Sequence, residues 1–189
     1  MLGSIFAFPI SNRPTMMKTF ATAVILVLSM GLGYAQTIDA ANSKVEFGVS
    51  NLYVNWVEGT FTGMSGTINF DPQNVSAAKF AVCVKTSTVN SGIEDRDEHL
   101  RNEDFFHASE FPTICITSTQ VSKTSSGYLM KGTLDLHGIQ KPIEIPFTYS
   151  NKTFEGSFEI DRDDYEVGED YSSFTIGSTV ELDIICKVQ

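Results

Sequence analysis

Apolar and polar residues alternate with a period of two over most of this chain, and no other feature constrains its fold as strongly. Val45, Phe47 and Val49 share one parity, while Glu46 and Gly48 hold the other. Consecutive residues of a β-strand point to opposite faces, so a segment of this kind buries one face only. About eight or nine such segments, joined by turns rich in Gly, Asn, Asp and Ser, predict an all-β sandwich or barrel.

Residues 93–106 are the one stretch with a helical pattern, and they are dense in charge. Within them, His99 has Asp95 four residues before it and Glu103 four residues after it, close enough on a helix to orient an imidazole. This arrangement raises the hypothesis of a small secreted enzyme that uses His99. The alternative hypothesis is architectural: the charged side chains pair with one another while apolar neighbours close an end of the domain.

The partners that catalysis or metal binding by His99 would need are missing from the sequence motifs. There is no G-x-S-x-G nucleophile motif, and no Cys has a base placed beside it. The three histidines show neither H-E-x-x-H nor Cys-pair spacing. We therefore predict no catalytic residues, no metal ligands and no cofactor, and we favour a binding protein over an enzyme.

The N-terminal residues have the pattern of a secretory signal peptide. Residues 20–32 are almost all apolar or small, Lys18 precedes them, and Ala35 ends a small-x-small cleavage site. This apolar run is shorter than the roughly 20 residues that span a bilayer. We predict a signal peptide over residues 1–35, with 1–15 as a possible upstream extension. We predict one periplasmic domain over residues 36–189, without stable membrane insertion after cleavage. Translation could start at Met1, Met16 or Met17.

The charge of the chain argues against nucleic acid as a partner. The chain has 23 acidic and 13 basic residues, a net charge of −10, and every acidic residue follows residue 35. An acidic domain repels phosphate backbones, and no basic patch with interleaved aromatic residues is found. Binding of DNA or RNA is therefore not expected.

The three cysteines Cys83, Cys115 and Cys186 all lie in the predicted mature domain. An oxidising compartment permits disulfides there. By strand parity, Cys83 and Cys115 point away from the apolar faces of their strands, whereas Cys186 shares the apolar parity. A Cys83–Cys115 disulfide is one option if their strands are neighbours, since the distance between the Cα atoms decides it; the favoured interpretation of the sequence is three free, unreactive thiols.

The inward-facing positions are rich in Phe and hold few polar atoms. A barrel of about eight strands has an interior that is filled by side chains or holds one small ligand. A solid aromatic core and an apolar pocket are built from the same residue types, so composition leaves both open.

Five motifs in order give the chain a resemblance to the YceI family, secreted lipocalin-like barrels associated with polyisoprenoid lipids. The strongest is Arg96–Arg101, of sequence RDEHLR, continued by residues 104–106 and 111–114. The others are residues 43–47, residues 57–61 with 66–71, residues 132–142, and residues 158–162 with Tyr165 and Gly168. The chain departs from the family pattern at Asn42, where His is usual, and at Glu166, where Gly is usual.

This resemblance implies a single antiparallel lipocalin-like β-barrel of about eight strands with one short helix, and an apolar tunnel for an isoprenoid chain. The large apolar residues selected as tunnel lining are Phe47, Trp56, Phe61, Phe80, Ile116, Met130, Leu134, Phe147 and Phe158. The residues selected as a polar mouth are His99, Arg101, Arg162 and Tyr165.

The expected function is non-catalytic binding, sequestration or transport of an isoprenoid-type lipid with a polyprenyl or quinone-like chain. That lipid is the expected partner, and the protein is also considered as a homodimer. The alternatives are the small secreted enzyme using His99 and a ligand-free structural or stress module.

Overall fold

The computed structural model describes residues 35–52 and 54–189. Residues 1–34 of the predicted signal peptide, with all three candidate start sites, lie outside the described residues. The strands are β1 Lys44–Asn51, β2 Asn55–Phe61, β3 Ser65–Asn69, β4 Lys79–Lys85, β5 Thr113–Lys123, β6 Tyr128–Leu136, β7 Ile139–Ser150, β8 Thr153–Asp161 and β9 Ile176–Lys187. The α-helix, α1, is Glu94–Arg101, and short 3-10 turns are Ala40–Asn42, Val75–Ala77, Thr86–Thr88 and Asp163–Tyr165.

The nine strands form one antiparallel sheet in the order β2-β1-β9-β8-β7-β6-β5-β4-β3. The two edge strands, β2 and β3, follow each other directly in the chain, so residues 55–69 act as one bent strand that pairs with β1 and then with β4. The sheet therefore curls on itself with eight strand positions around its circumference. The predicted all-β antiparallel barrel with one short helix is confirmed.

The bend between β2 and β3 depends on close backbone packing. Thr62 O accepts a hydrogen bond from Lys85 N at 3.2 Å, which joins the bend to the end of β4. Gly66 has a φ of 133°, and a Cβ at this position would lie 2.0 Å from Ala81 O. Only glycine fits such a position without moving the neighbouring strand.

Antiparallel order places the connections of the barrel at two opposite ends. One end carries α1 within residues 86–112, the β1–β2 and β6–β7 turns, and the β8–β9 loop, residues 162–175. We call it the helix end. The opposite end carries residues 70–78 and the shorter turns after β5 and β7.

Aromatic side chains fill the barrel at the end opposite α1. We call these six residues the aromatic cluster: Phe70, Phe80, Tyr128, Phe147, Tyr149 and Phe154. The ring of Phe70 lies 5.1 Å from that of Tyr128 and 5.2 Å from that of Phe154, both edge to face. Such pairs contribute roughly 0.5–1.5 kcal/mol each beyond their buried area. The cluster thus packs this end with apolar contacts.

Cys83 and Cys115 face each other in the β4–β5 ladder, with their Cα atoms 4.1 Å apart, and the structure joins them in a disulfide. Cys186 is a buried free thiol. Burial raises the pKa of Cys186 to about 11, against a smaller lowering by its Ser43 hydrogen bond. Its thiol is therefore protonated near neutral pH, a form that reacts poorly.

The Cys83–Cys115 disulfide predicts a stability that depends on oxidation. The bond closes a loop across a sequence separation of 32. Closing such a loop restricts the unfolded chain, so reduction should lower the free energy of unfolding by about 2–4 kcal/mol. Urea denaturation with and without reductant measures this difference. Cys186→Ala is the control and should keep the same sensitivity to reductant. Equal unfolding curves for oxidised and reduced wild-type protein would contradict the prediction.

Candidate functional site

A cavity of about 390 Å³ lies inside the barrel, between the aromatic cluster and α1. Strand alternation builds it, because inward positions of all nine strands converge on one interior. Eight of the nine residues selected from the sequence line it: Phe47, Phe61, Phe80, Ile116, Met130, Leu134, Phe147 and Phe158.

Trp56 does not line the cavity, contrary to the expectation from the sequence. It pairs with Ser50, while its neighbour Val57 takes the inward position opposite Val49. The indole therefore lies on the outer face, over Gly48, where it is 48% exposed. A shift of one position moves a side chain to the other face of a strand, and the register near the β1–β2 turn was not readable from the sequence.

Several lining residues were not selected from the sequence, although their alternation marked them as inward. They include Val45, Ile68, Val180, Leu182 and Ile184. Met64 also lines the cavity and is 2% exposed, but it lies in the bend between β2 and β3, where no periodic pattern applies. The alternation of apolar and polar residues therefore marks these strand residues as inward-facing, and the predicted lining was too short because it included only some of the inward positions.

Helix α1 covers the cavity at the helix end. Arg96, His99 and Leu100 reach the cavity from α1, and Phe106 reaches it from the turn that follows. The ring of Phe106 packs edge to face on Phe61 at 5.1 Å. Leu100 is thus the apolar residue that α1 itself places against the interior, and Phe106 adds a second one from the following turn.

His99 stands at the rim of the cavity with two polar neighbours. Its Nε2 lies 3.3 Å from Asp104 Oδ2 and 3.2 Å from the Tyr171 hydroxyl. Its ring packs edge to face on Phe105 at 5.0 Å, and its side chain is 45% exposed. His99, Tyr171 and Arg96 therefore form one polar part of the cavity mouth, and Ser50, Asn51 and Thr175 also line the cavity at this end.

Asp97 and Arg96 fix the start of α1. Asp97, 4% exposed, accepts hydrogen bonds from the Ser91 amide at 2.7 Å and from the Ser91 hydroxyl. Arg96 donates through Nε to Ser91 Oγ and through Nη2 to Ser91 O, both at 2.7 Å. Buried charges persist when they are paired and hydrogen-bonded, so this trio holds the helix over the cavity.

Arg162, predicted from the sequence to lie at a polar mouth, instead holds the β8–β9 loop by hydrogen bonds. It is 4% exposed, and its guanidinium also forms an ion pair of 2.8 Å with Asp163. The five backbone carbonyl groups that accept its hydrogen bonds belong to Val167, Gly168, Tyr171, Ile176 and Gly177. Arg162 touches the cavity wall, but its donors are directed to the β8–β9 loop.

Arg101 and Tyr165, the other two residues selected for the mouth, do not line the cavity. Arg101 is partly buried, and its Nη1 pairs with Glu94 at 3.3 Å. Tyr165 is 2% exposed in a second apolar cluster with Phe105 and Leu134. Burial, with a smaller effect of the Asp164 carboxylate, raises the pKa of Tyr165. A position within a charged segment of the sequence does not determine which way its side chain points in the folded protein.

The backbone conformation at Glu166 shows why glycine is usual at this position of the β8–β9 loop. It adopts a left-handed backbone conformation with a φ of 55°, directly after the Asp163–Tyr165 turn. This region costs a residue with a Cβ roughly 1–2 kcal/mol, whereas glycine adopts it freely. The exposed Glu166 side chain projects from the surface and does not reach the cavity.

Within the described residues, no group of three His, Cys, Asp or Glu side chains is close enough to hold a metal ion. In the same part of the chain, no helix is both long and apolar enough to cross a membrane.

The Arg162 network predicts a large loss of stability when the guanidinium is removed. Arg162→Met should lower the free energy of unfolding by about 3–5 kcal/mol, because it leaves several buried carbonyl groups without donors. Asp163→Asn is the matched control; since Asp163 is half exposed, it should change stability by less than about 1 kcal/mol. Urea denaturation of both variants measures the effect. An Arg162→Met variant as stable as wild type would refute this role.

Known proteins resemble the chain in sequence and in fold. A family model described as YceI-like domain matches residues 36–188. A UPF0312 protein of Yersinia enterocolitica is 34% identical over 107 residues, which span 57% of this chain and 56% of that relative. The chain thus matches little more than half of that relative's length.

Two solved structures share the fold. BcnA of Burkholderia cenocepacia superposes with a TM-score of 0.72 at 22% identity, over 79% of this chain and 98% of that protein. A polyisoprenoid binding domain from Saccharophagus degradans, implicated in plant cell wall breakdown, gives a TM-score of 0.62 at 20% identity, over 82% and 98%.

The family match covers the predicted mature domain almost from end to end and agrees with the barrel described above. The resemblance carried by the five sequence motifs is therefore confirmed. The chain belongs to the YceI-like domain family.

Proposed function

We propose that this protein is a non-catalytic carrier that binds an isoprenoid-type lipid inside its barrel. The observation that carries the proposal is the cavity of about 390 Å³, whose walls are almost entirely Phe, Ile, Leu, Val and Met side chains. Its volume falls in the range of roughly 300–1,000 Å³ that is common for small-ligand sites. A hydrocarbon chain gains roughly 25 cal/mol for each Å² that it removes from water in such a site.

The arrangement of polar groups supports a ligand with one polar end. The interior holds the apolar chain, while His99, Tyr171 and Arg96 stand together at the mouth. A hydroxyl, quinone or phosphate head would meet hydrogen-bonding groups there and nowhere deeper. Phe47 and Phe158, on either side of Leu182 in the sheet, would contact the chain.

Two further observations agree with this proposal. The structural relative from Saccharophagus degradans is described as a polyisoprenoid binding domain, and it shares the barrel. The Cys83–Cys115 disulfide fits an oxidising compartment such as the periplasm, the location inferred from the signal-peptide pattern. We therefore assign the carrier to the periplasm and its ligand to lipids that reside in the neighbouring membranes.

Filling the cavity should block binding. Leu182→Trp places an indole in the interior, while Glu181→Trp places the same group on the exposed outer face of β9. All-trans-retinol serves as an isoprenoid probe, titrated by fluorescence. Leu182→Trp should weaken retinol binding by about tenfold or more, because buried apolar area is the main source of affinity. Glu181→Trp should bind as wild type does.

The native ligand is sought by organic extraction of the purified mature protein and mass spectrometry. A stoichiometric isoprenoid lipid in several preparations supports the carrier. The carrier fails if extraction yields no lipid and if retinol binds Leu182→Trp as well as it binds wild type. That result would favour a ligand-free structural module.

The carrier also predicts a limited role for His99, whose enzyme role is the rival hypothesis. His99 is half exposed beside Asp104 and Tyr171, and the apolar walls lie beneath it. His99→Ala should therefore change retinol affinity by less than about threefold, since it leaves the aliphatic and phenyl side chains of the cavity wall in place. Tyr171→Phe is a control that keeps the ring and removes the hydroxyl. A hydrolytic or transfer activity lost in His99→Ala, with an unchanged melting temperature, would instead establish the enzyme.

A further inference from the structure

Large apolar side chains are exposed at the helix end of the barrel. In the part of the chain that the structure describes, five such side chains are at least 45% exposed: Leu52, Val54, Trp56, Ile93 and Phe174. Leu52, Val54 and Trp56 belong to the β1–β2 turn and its flanks, Phe174 to the β8–β9 loop, and Ile93 to the start of α1. All five therefore lie at one end of the barrel. A group of this kind usually marks an interaction surface.

This surface is continuous with the mouth of the cavity. Leu52 N donates a hydrogen bond to Thr175 O at 3.1 Å, so the β1–β2 turn lies directly against the loop that carries Phe174. Asn51 and Thr175 line the cavity. We call Leu52, Val54, Trp56 and Phe174 the apolar rim, because they sit beside cavity-lining residues yet face outward.

Trp56 is held in a fixed outward position. Its ring lies over Gly48, and a Cβ on Gly48 would come within 2.5 Å of Trp56 Cζ2. Glycine at this position therefore makes room for the indole, which packs on the sheet with one side and stays 48% exposed. An indole combines an apolar ring with one polar group and prefers the boundary between hydrocarbon and water.

The charges around the rim indicate which surface fits it. Residues 50–57 contain no charged residue. The flanking segments expose the acidic residues Glu58, Glu94, Asp95, Glu169 and Asp170. Two copies that met rim to rim would bring these carboxylates together, which disfavours a second copy as the occupant. An apolar centre with an acidic border fits a lipid surface of little net charge.

We propose that the apolar rim docks this protein on a bilayer of uncharged or zwitterionic lipids, with the cavity mouth facing the membrane. The inference rests on the proposed function, since a carrier of a hydrocarbon ligand must collect it from a membrane. Docking by the rim sets the cavity mouth against the bilayer, so the hydrocarbon chain of the ligand passes from the acyl chains to the cavity with little exposure to bulk water.

The single tryptophan of the chain reports docking directly. Phosphatidylcholine vesicles added to the ligand-free protein should shift Trp56 emission to shorter wavelength, and brominated phosphatidylcholine should quench it. Phosphatidylglycerol vesicles should bind more weakly at low salt, and added salt should narrow the difference by screening the acidic border.

The matched variants carry the same charge change at opposite ends of the barrel. Leu52→Asp with Val54→Asp should weaken cosedimentation with phosphatidylcholine vesicles by about tenfold or more. Ser125→Asp with Ser126→Asp, in the exposed β5–β6 turn, should bind as wild type does. Val54→Asp alone, at a side chain 84% exposed, repeats the test without risk to folding.

Retinol binding without vesicles separates this inference from the proposed function. The rim variants should keep wild-type retinol affinity. Unchanged Trp56 emission and no cosedimentation, with retinol binding intact, would overturn the docking inference and leave the carrier. Vesicle binding without any lipid or retinol binding would overturn the carrier. Emission that shifts with protein concentration alone, together with a dimer in sedimentation, would assign the rim to a second copy and overturn docking on lipid.

Discussion

Closure of the sheet by residues 55–69 is the constraint on which the rest of this structure depends. The same segment pairs with β1 and then with β4, so the two edges of a nine-stranded sheet are joined by the chain itself. Open edges expose unpaired backbone groups, and here the second edges of β2 and β3 are partly covered by isolated bridges from Asn90 to Thr60 and from Gln36 to Ile68. Closure also turns one face of every strand toward a common interior. Helix α1 covers this interior at one end, and the aromatic cluster packs its other end.

The two ends of the barrel are filled by different chemistry, and this difference produces the cavity. Six aromatic rings pack together at one end, and three of them, Phe80, Phe147 and Phe154, also line the cavity. At the other end a short helix covers the barrel, held by Asp97, Ser91 and Arg96 at the entrance of α1. Arg162 organises the loop beside it through backbone carbonyl groups. Arg96 and Arg162 thus stabilise the segments around the mouth by hydrogen bonds, while most of the cavity lining remains apolar.

For the charged segment around His99, the sequence predicts the helix but not the contacts of its charged side chains. Its position on a short helix and its apolar companions were predictable from periodicity, and the structure places Leu100 and Phe106 against the core. The direction of each charged side chain was not predictable. Arg96 reaches the mouth, while Arg101 does not line the cavity and pairs with Glu94. Tyr171 joins His99 from 72 residues away, a contact that only the closed barrel creates.

The sequence by itself determined the all-β antiparallel class, the short helix, the family and most of the inward-facing residues, because a period of two follows from strand geometry alone. Tertiary structure decided what depends on register and on distant neighbours. It paired Cys83 with Cys115, turned Trp56 outward over Gly48, and buried Arg162 among backbone carbonyls. It also shaped the cavity in the barrel interior, since the volume between packed side chains is a property of their arrangement and not of their composition.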